Sequence, residues 1–252
     1  MIYRYCLLFF LLGTTFVSSG QQDSLATVRK KENKITAGAL LLPAALITYG
    51  VVALNNPSLQ TFDRNIRKKV WIDNPHSRLP LDDYLQYSPG AAVYLLNAAG
   101  IKGKNNFRDR TIIYLLANAL MGVTIETLKH TTPAERPDGS GNDGFPSGHT
   151  GTAFVAAEFL RQEYKDVSAW YGVGGYAAAI ATGFLRVYND KHWFSELLPG
   201  AGIGILSTKI AYWSYPYIQR HLFKKKPSNM VLVPFYQSGT AGISFNYFFA
   251  GK

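Results

Sequence analysis

Two histidines and three cations stand out in this chain, because their types and spacing suit the chemistry of an oxyanion. The segment KHTTPAERP begins with Lys129 and has Arg136 before its final proline. The segment PSGH ends with His149. Arg186 opens the segment RVYNDKHWFSE, which also holds His192. An arginine guanidinium offers phosphate a planar fork of donors, and a lysine ammonium adds a compact charge. These residues therefore predict a pocket for an anion with several oxygens.

The PSGH segment, residues 146–149, is typical of the start of a helix. Ser147 suits the N-cap position and can also donate its hydroxyl. Gly148 lets the backbone approach a bound anion closely. Because backbone N–H groups at a helix N-terminus favour negative charge, we expect Ser147 and Gly148 to contribute to the same pocket.

His192 and Glu196 are four positions apart, which predicts that they share one helix face. Glu196 can then hold one ring nitrogen of His192 and leave the other free to attack, as the acid of a catalytic triad does. Metal-free phosphoryl transfer needs positive charge around the phosphate, an in-line nucleophile and an acid for the leaving oxygen. Imidazole can serve as nucleophile or acid, so His149 remains for the proton.

The three segments together resemble the signature of the type 2 phosphatidic acid phosphatase (PAP2) superfamily, which also contains bacterial acid phosphatases and vanadium haloperoxidases. That signature has a lysine six residues before Arg-Pro, then Pro-Ser-Gly-His, then Ser-Arg followed by a His and an Asp. The order and spacing agree from Lys129 to Glu196. Two positions depart from the pattern, because Leu185 stands where the family usually has Ser and Glu196 where it usually has Asp.

The resemblance implies hydrolysis without a metal or other cofactor, and it implies a role for each motif residue. The residues that would hold the phosphate are Lys129, Arg136, Ser147, Gly148 and Arg186. His192 would form a phosphohistidine, His149 would protonate the leaving group, and Glu196 would orient His192. The loss of a hydroxyl at Leu185 removes one possible phosphate donor, and Glu196 keeps the charge of the usual Asp.

The fold that must position these residues is predicted to be all-α, a helical bundle of the PAP2 type. Apolar runs and periodicity predict helices at 35–54, 58–71, 82–87, 89–101, 111–128, 147–162, 167–185 and 191–217. Asp82 and Asp83 are interpreted as helix caps. Glycines at positions 200, 202 and 204 predict close helix packing. The segments MVLVPFY and AGISFNYFF flank QSGT and predict a C-terminal β-hairpin.

The domain organisation follows from the order of these segments. Residues 1–20 have the charge and apolar run of a signal peptide or an anchor. A polar leader is expected at 21–34, the phosphatase domain at 35–226 and the hairpin appendage at 227–252. Cys6 is the single cysteine, so an intramolecular disulfide and a thiolate metal cluster are both excluded.

Charge and hydropathy leave two cellular settings open. The net charge is +10, with basic clusters that flank apolar segments rather than forming one nucleic-acid stripe. The alternation of these clusters favours an inner-membrane protein with its active site facing the periplasm. A mean hydropathy of −0.02 and a cleaved signal favour a periplasmic protein associated with the membrane.

The functional expectation is a hydrolase that removes a terminal phosphate from a membrane lipid through a phosphohistidine, at the periplasmic side of the envelope. Lipid A, undecaprenyl pyrophosphate and phosphatidate are the candidate substrate classes. A soluble periplasmic acid phosphatase is the alternative, and a vanadium haloperoxidase is a minor one. A phosphorylated lipid and the membrane are the expected partners, with no nucleic acid and no obligate protein partner.

Overall fold

The computed structural model describes residues 36–222, 230–237 and 240–247. The expected signal peptide and the whole polar leader therefore lie outside the described residues. Eight α-helices occur in the described part: α1 (Ala37–Ala53), α2 (Pro57–Arg67), α3 (Asp82–Leu85), α4 (Ser88–Ala98), α5 (Phe107–Thr131), α6 (Gly148–Tyr164), α7 (Ala169–Tyr188) and α8 (Phe194–Leu222). The all-α prediction for the domain is confirmed.

The hydrophobic core forms where α4, α5 and α8 pack on α6. Helix α6 is the most enclosed of these, since small residues at Ala153, Ala156 and Ala157 are fully buried and let its neighbours approach. The aromatic ring of Phe159 stacks on Tyr114 with a centroid distance of 4.6 Å. Burial of this apolar surface is the main driving force that holds the helices in place.

Close packing along α8 depends on its glycines, as predicted. A Cβ at position 200 would lie 2.5 Å from the carbonyl oxygen of Ser147 on the α6 side. A Cβ at Gly202 would lie 2.7 Å from the carbonyl oxygen of Pro43 on α1. Because backbone atoms cannot move aside as a flexible side chain can, α8 sits against α1 and α6 only with glycine at these positions.

Helix α1 turns sharply into α2, and the two are bent by 94°. Asn56 caps α2, accepting from the backbone N–H groups of Ser58 and Leu59 at 3.0 and 3.2 Å. Helix α2 continues into a π-helical turn, Lys68–Ile72. Asp63 of α2 is buried and accepts from the backbone N–H of Ser195 at 3.1 Å, which ties α2 to the start of α8.

One described helix, α5, is long and apolar enough to cross a bilayer, and the bent pair of α1 with α2 and its π turn makes a second if it counts as one span. Several apolar side chains of the described helices are also exposed: Leu41, Leu42, Leu115, Val123, Ile180 and Phe184. The outer surface of the helical part is therefore apolar over several helices.

A polar network fixes the end of the bundle opposite the start of α6. Glu163 is buried and accepts from the Tyr212 hydroxyl at 2.6 Å and from the side chain of Asn105 at 2.6 Å. The Arg110 guanidinium is buried nearby, with Nε 3.8 Å from Glu163. The basic segment before α5 is thereby tied to the C-terminal end of α6.

The predicted C-terminal hairpin is present as β1 (Met230–Gln237) and β2 (Thr240–Tyr247). The strands are antiparallel, with Met230 opposite Tyr247 and Gln237 opposite Thr240.

Candidate active site

The three motifs meet at one end of the helical part, where α5 ends and α6 and α8 begin. Lys129 lies in the last turn of α5, whereas the sequence predicted a loop from that residue onward. Its ammonium group lies 3.9 Å from the position that a Cβ on Gly148 would take. The apolar face of α5 continues through Leu128, which carries the helix past the predicted boundary and brings the lysine to the start of α6.

The loop between α5 and α6 folds back on itself and holds Arg136. The backbone N–H of Ala134 donates to the carbonyl of Asn142, and the N–H of Gly144 donates to the carbonyl of Ala134, both at 2.9 Å. Arg136 donates two hydrogen bonds to Asp143, at 2.8 and 2.9 Å. These hydrogen bonds lower the pKa of Asp143, with burial opposing the shift. The Asp143 carboxylate therefore holds the Arg136 fork in place.

Ser147 is the N-cap of α6, as predicted. Its hydroxyl accepts from the backbone N–H of Thr150 at 3.4 Å and from the Thr150 hydroxyl at 3.0 Å. The backbone N–H of Ser147 donates to the carbonyl of Glu196 at 3.0 Å, which joins the PSGH segment to α8. Ser147 is fully buried, so its backbone and hydroxyl are held in a fixed position.

His192 and Glu196 are in contact, but not by the predicted shared helix face. Helix α8 begins at Phe194, so His192 precedes it. The Glu196 carboxylate reaches back to accept from the backbone N–H of Trp193 at 3.1 Å and lies 2.9 Å from His192 Nδ1. A carboxylate in the first turn accepts N–H groups that have no partner within the helix, which explains this arrangement.

Gly144 leaves the room that the Glu196 carboxylate needs. A Cβ at this position would lie 2.6 Å from Glu196 Oε1 and 3.0 Å from the carbonyl oxygen of Ala134. Any larger residue would therefore push the carboxylate away from His192. This requirement was not recognised in the sequence, because it depends on how the loop crosses α8.

Three cations set the electrostatics around His192. Burial lowers the pKa of His192 well below its ordinary value, and the charges of Arg186, Arg136 and Lys129 lower it further. The imidazole is therefore neutral at neutral pH. These three cations belong to the first and third motifs, and all three act on the charge of His192.

Arg186 and His149 each contact a carboxylate from α3. Arg186 donates to Asp82 at 2.6 Å, and its Nε is buried with no hydrogen-bond partner in the described structure. His149 Nε2 lies 2.9 Å from Asp83 Oδ1. The prediction that Asp82 and Asp83 cap α3 is wrong, because the N-cap is Leu81 and no side chain caps this helix. Buried Asp82 is needed instead to balance the charge of Arg186.

Asp82, Asp83 and His149 are also the described residues whose ligand atoms, all within 4.8 Å of one another, could hold a metal ion. Asp82 already accepts from Arg186 and from Asn189 at 3.0 Å. A divalent cation would meet the charge of Arg186 beside it. The donor set therefore fits a metal poorly.

Two further contacts shape the segment before His192. Asp190 adopts a φ of 56° and accepts two hydrogen bonds from Arg67, at 2.8 and 2.9 Å. Asn189 accepts from the backbone N–H of Leu79 at 2.8 Å. These contacts hold the loop that leads to His192 against Arg67 and Leu79.

A polar cavity of about 470 Å³ opens beside Glu196. Side chains of Gln60, Asp63, Arg64 and Trp193 line it together with the loop before Arg136. This mixture of charge, amide and aromatic ring can contact a polar group of several hydroxyls or amides.

Comparisons with known proteins agree with this arrangement of motifs. The chain is 34% identical to the lipid A 1-phosphatase of Porphyromonas gingivalis over 192 residues, which is 71% of this chain and 43% of the relative. It is 30% identical to the lipid A 1-phosphatase of Helicobacter pylori over 114 residues, 41% of this chain and 58% of the relative. The chain thus spans about half the length of these two relatives.

Among solved structures, the fold is similar to a transmembrane PAP2 type phosphatidylglycerolphosphate phosphatase from Bacillus subtilis. The TM-score is 0.51 at 22% identity, covering 71% of this chain and 98% of that one. Residues 110–220 match the family model described as the PAP2 superfamily, and this range includes all three motifs. Over these residues, the chain is similar to the PAP2 superfamily.

Proposed function

We propose that this protein hydrolyses a terminal phosphate monoester of a membrane lipid, through a phosphohistidine on His192. One observation carries the proposal: a buried neutral imidazole, held through Nδ1 by Glu196, lies among three cations of the first and third motifs. Nδ1 is engaged, so Nε2 is the ring nitrogen that attacks phosphorus. Lys129, Arg136 and Arg186 balance the charge of the phosphate oxygens, with Ser147 and Gly148 at the α6 N-terminus.

The reaction proceeds in two steps whose atoms balance. His192 Nε2 forms a bond to phosphorus while the bond from phosphorus to the lipid oxygen breaks, and protonated His149 gives its proton to that oxygen. Water then attacks the phosphohistidine, His149 takes the proton, and inorganic phosphate leaves. Burial raises the pKa of Glu196 to about 8, and its side chain orients His192 through the contact with Nδ1 during the first step.

Lipid A is the first candidate substrate. The two relatives reported above are named lipid A 1-phosphatases. The polar cavity beside Glu196 suits a sugar headgroup, and the exposed apolar side chains of α1, α5 and α7 suit contact with acyl chains. Phosphatidate, which is a phosphate monoester, and undecaprenyl pyrophosphate, whose terminal phosphate is an anhydride, serve as comparison substrates.

We place the activity at the periplasmic side of the cell envelope. The basic segment Lys102–Arg110 lies at the N-terminal end of α5, and the candidate site lies at its C-terminal end. The positive-inside rule favours the basic end in the cytoplasm, and the site then faces outward. The alternative is a soluble periplasmic acid phosphatase. One observation favours it: in the described part, α5 is the single unbroken helix that is long and apolar enough to cross a bilayer.

The test is phosphate release from lipid A, undecaprenyl pyrophosphate, phosphatidate and an aryl phosphate, with EDTA present, by wild type and His192→Ala. His221→Ala is the matched control, because His221 is exposed at the far end of α8. We expect His192→Ala to lose activity by at least about a thousandfold, as when other nucleophiles are removed. Preference for the aryl phosphate would favour the soluble acid phosphatase. Activity that survives in His192→Ala, or that is lost in EDTA, would overturn the mechanism.

A further inference from the structure

An apolar cavity of about 250 Å³ lies next to the candidate site, between α6, α7 and α8. Phe154, Gly183, Phe184 and Leu197 are among the side chains and backbone that line it. Thr150 is the one residue with a polar side chain in the lining. The cavity therefore has the chemistry of a site for hydrocarbon, since burying a polar ligand group there would leave that group without hydrogen bonds.

A hydrogen bond links the lining of the cavity to the phosphate cradle, the name used here for the residues proposed to hold the phosphate: Lys129, Arg136, Ser147, Gly148 and Arg186. The Thr150 hydroxyl contacts the Ser147 hydroxyl at 3.0 Å. Its methyl carbon and its hydroxyl oxygen both lie 3.8 Å from the position that a Cβ on Gly183 would take. Thr150 thus contacts Ser147 and also borders the cavity. Val187 directly follows Arg186 in the chain, and Leu197 directly follows Glu196. Both Val187 and Leu197 line the cavity as well.

Helix α2 and its π turn cover one side of the cavity. Ile66 and Val70 line it, whereas Arg64, Lys68 and Lys69 on the same segment are exposed. A segment with an apolar face and a basic face is typical of a helix that lies in the membrane interface. On α7, the lining residues Ile180 and Phe184 are more than half exposed, so the cavity also borders the outer apolar surface.

We infer that this cavity binds one acyl chain of the lipid whose phosphate occupies the cradle. The inference rests on the proposed function, because it assigns the occupant from the lipid that the cradle would hold. A volume of about 250 Å³ is below the roughly 300–1,000 Å³ of pockets for whole drug-sized ligands. It therefore suits part of a single chain rather than a headgroup. The cavity makes chain length a determinant of specificity.

Substitution at Gly183 tests the inference by filling the cavity. A Cβ there would meet Leu197 at 3.6 Å and Thr150 at 3.8 Å, both ordinary contacts, so Gly183→Ala fits and Gly183→Leu extends into the space. Gly174→Leu is the matched control, because Gly174 is exposed on the same helix with nothing within 4 Å. The substrates are dipalmitoyl phosphatidate, dihexanoyl phosphatidate and an aryl phosphate.

We expect Gly183→Leu to lower kcat/KM for the dipalmitoyl lipid by at least about tenfold, because each excluded methylene is worth about fourfold in binding. Turnover of the aryl phosphate should stay within twofold of wild type, and Gly174→Leu should change neither. Gly183→Leu with wild-type turnover of the long-chain lipid would overturn the inference. If Gly183→Leu lowers kcat/KM for all substrates equally, the Gly183→Ala variant decides the question. A fall of about fourfold in kcat/KM for the long-chain lipid alone supports the inference, and no fall overturns it.

A binding measurement separates this inference from the proposed function. A photoreactive palmitoyl phosphatidate is crosslinked to His192→Ala, which needs no turnover. Labelled peptides from α6, α7 and α8 that disappear in the His192→Ala, Gly183→Leu double variant support the chain site. Labels confined to other segments overturn it. If wild type releases phosphate from none of the substrates, the proposed function fails, and the crosslinks still decide the cavity.

Discussion

At the residue scale, the basic groups of the candidate site lie against carboxylates. Arg136 contacts Asp143, Arg186 contacts Asp82, and His149 contacts Asp83. These carboxylates limit the repulsion between cations that would otherwise be close together and unbalanced. They also fix the direction of each guanidinium before a phosphate arrives, which reduces the cost of ordering the site on binding.

The acid side of the pH profile is set by His192. Burial and the three cations lower its pKa below the ordinary value of about 6.5. The attacking form is the neutral imidazole, so on the acid side activity is lost as the pH falls through this lowered pKa of His192. We expect kcat/KM to fall with an apparent pKa below about 6.5. Arg136→Gln removes one cation and should move that limb to higher pH, measured on the same substrate.

A wild-type limb at or above the ordinary histidine value would contradict this assignment. A limb that does not move in Arg136→Gln would show that the Arg136 charge does not act on His192. Asp73→Asn is a suitable control, because Asp73 pairs with Lys68 on the exposed surface. It should leave the profile unchanged.

Asp82 is predicted to act as a positioning residue. It accepts from Arg186 and Asn189, so Asp82→Asn removes the charge that balances the buried guanidinium and loosens its direction. We expect kcat/KM to fall by about 10- to 100-fold, as for outer partners of site residues elsewhere. Inhibition by inorganic phosphate should weaken in parallel. A thermal unfolding curve separates this from general destabilisation, and full phosphate inhibition with low activity would contradict it.

At the element scale, α8 does two tasks with different parts of its sequence. Its first turn supplies Glu196 to His192, and the following glycines let the helix contact α1 and α6 through backbone atoms. Position 200 contacts the carbonyl of Ser147, so the packing of α8 and the geometry of the α6 N-terminus are fixed together. The helix therefore aligns the second and third motifs as a consequence of how closely it packs.

Gly202→Ala tests this dependence on backbone contact. Its Cβ would lie 2.7 Å from the carbonyl oxygen of Pro43, so α1 and α8 must separate. We expect a loss of about 1–3 kcal/mol in the free energy of unfolding, the usual cost of overpacking. Gly174→Ala is the control and should be neutral or slightly stabilising, because its Cβ meets nothing. Denaturation of the purified protein in detergent gives the measurement, and equal stability of both variants would contradict the prediction.

At the scale of the whole molecule, the candidate site and the basic segment before α5 lie at opposite ends of the bundle. Helix α5 runs from Phe107 to Lys129 and beyond, and 25 residues extend about 37 Å, longer than the hydrocarbon core of a bilayer. Glu163, Asn105 and Tyr212 hold the basic end together. A bilayer across α5 would separate the two ends.

Cysteine labelling tests which side each end faces. In a Cys6→Ser background, Asn142→Cys marks the site loop and Lys102→Cys marks the basic end, and both positions are exposed. With the outer membrane permeabilised, an impermeant maleimide should label position 142 at once and position 102 only after the inner membrane is broken. Labelling of both positions while the inner membrane is still intact would instead favour the periplasmic form that does not cross the membrane.

The sequence by itself predicted the candidate site residues and most of the helices. Lys129, Arg136, His149, Arg186 and His192 were chosen from residue types and spacing, because phosphate needs a particular set of donors and charges. The helices followed from apolar periodicity. Both kinds of information are local, and so both can be read along the chain.

Only the tertiary structure decided which groups balance that chemistry. Asp82 is more than 100 positions from Arg186, and no local pattern joins them. The same holds for the room that Gly144 leaves for Glu196 and for the apolar cavity beside Thr150. These features arise from the packing of separate helices, where a few ångströms decide whether a carboxylate or a hydrocarbon chain can be accommodated.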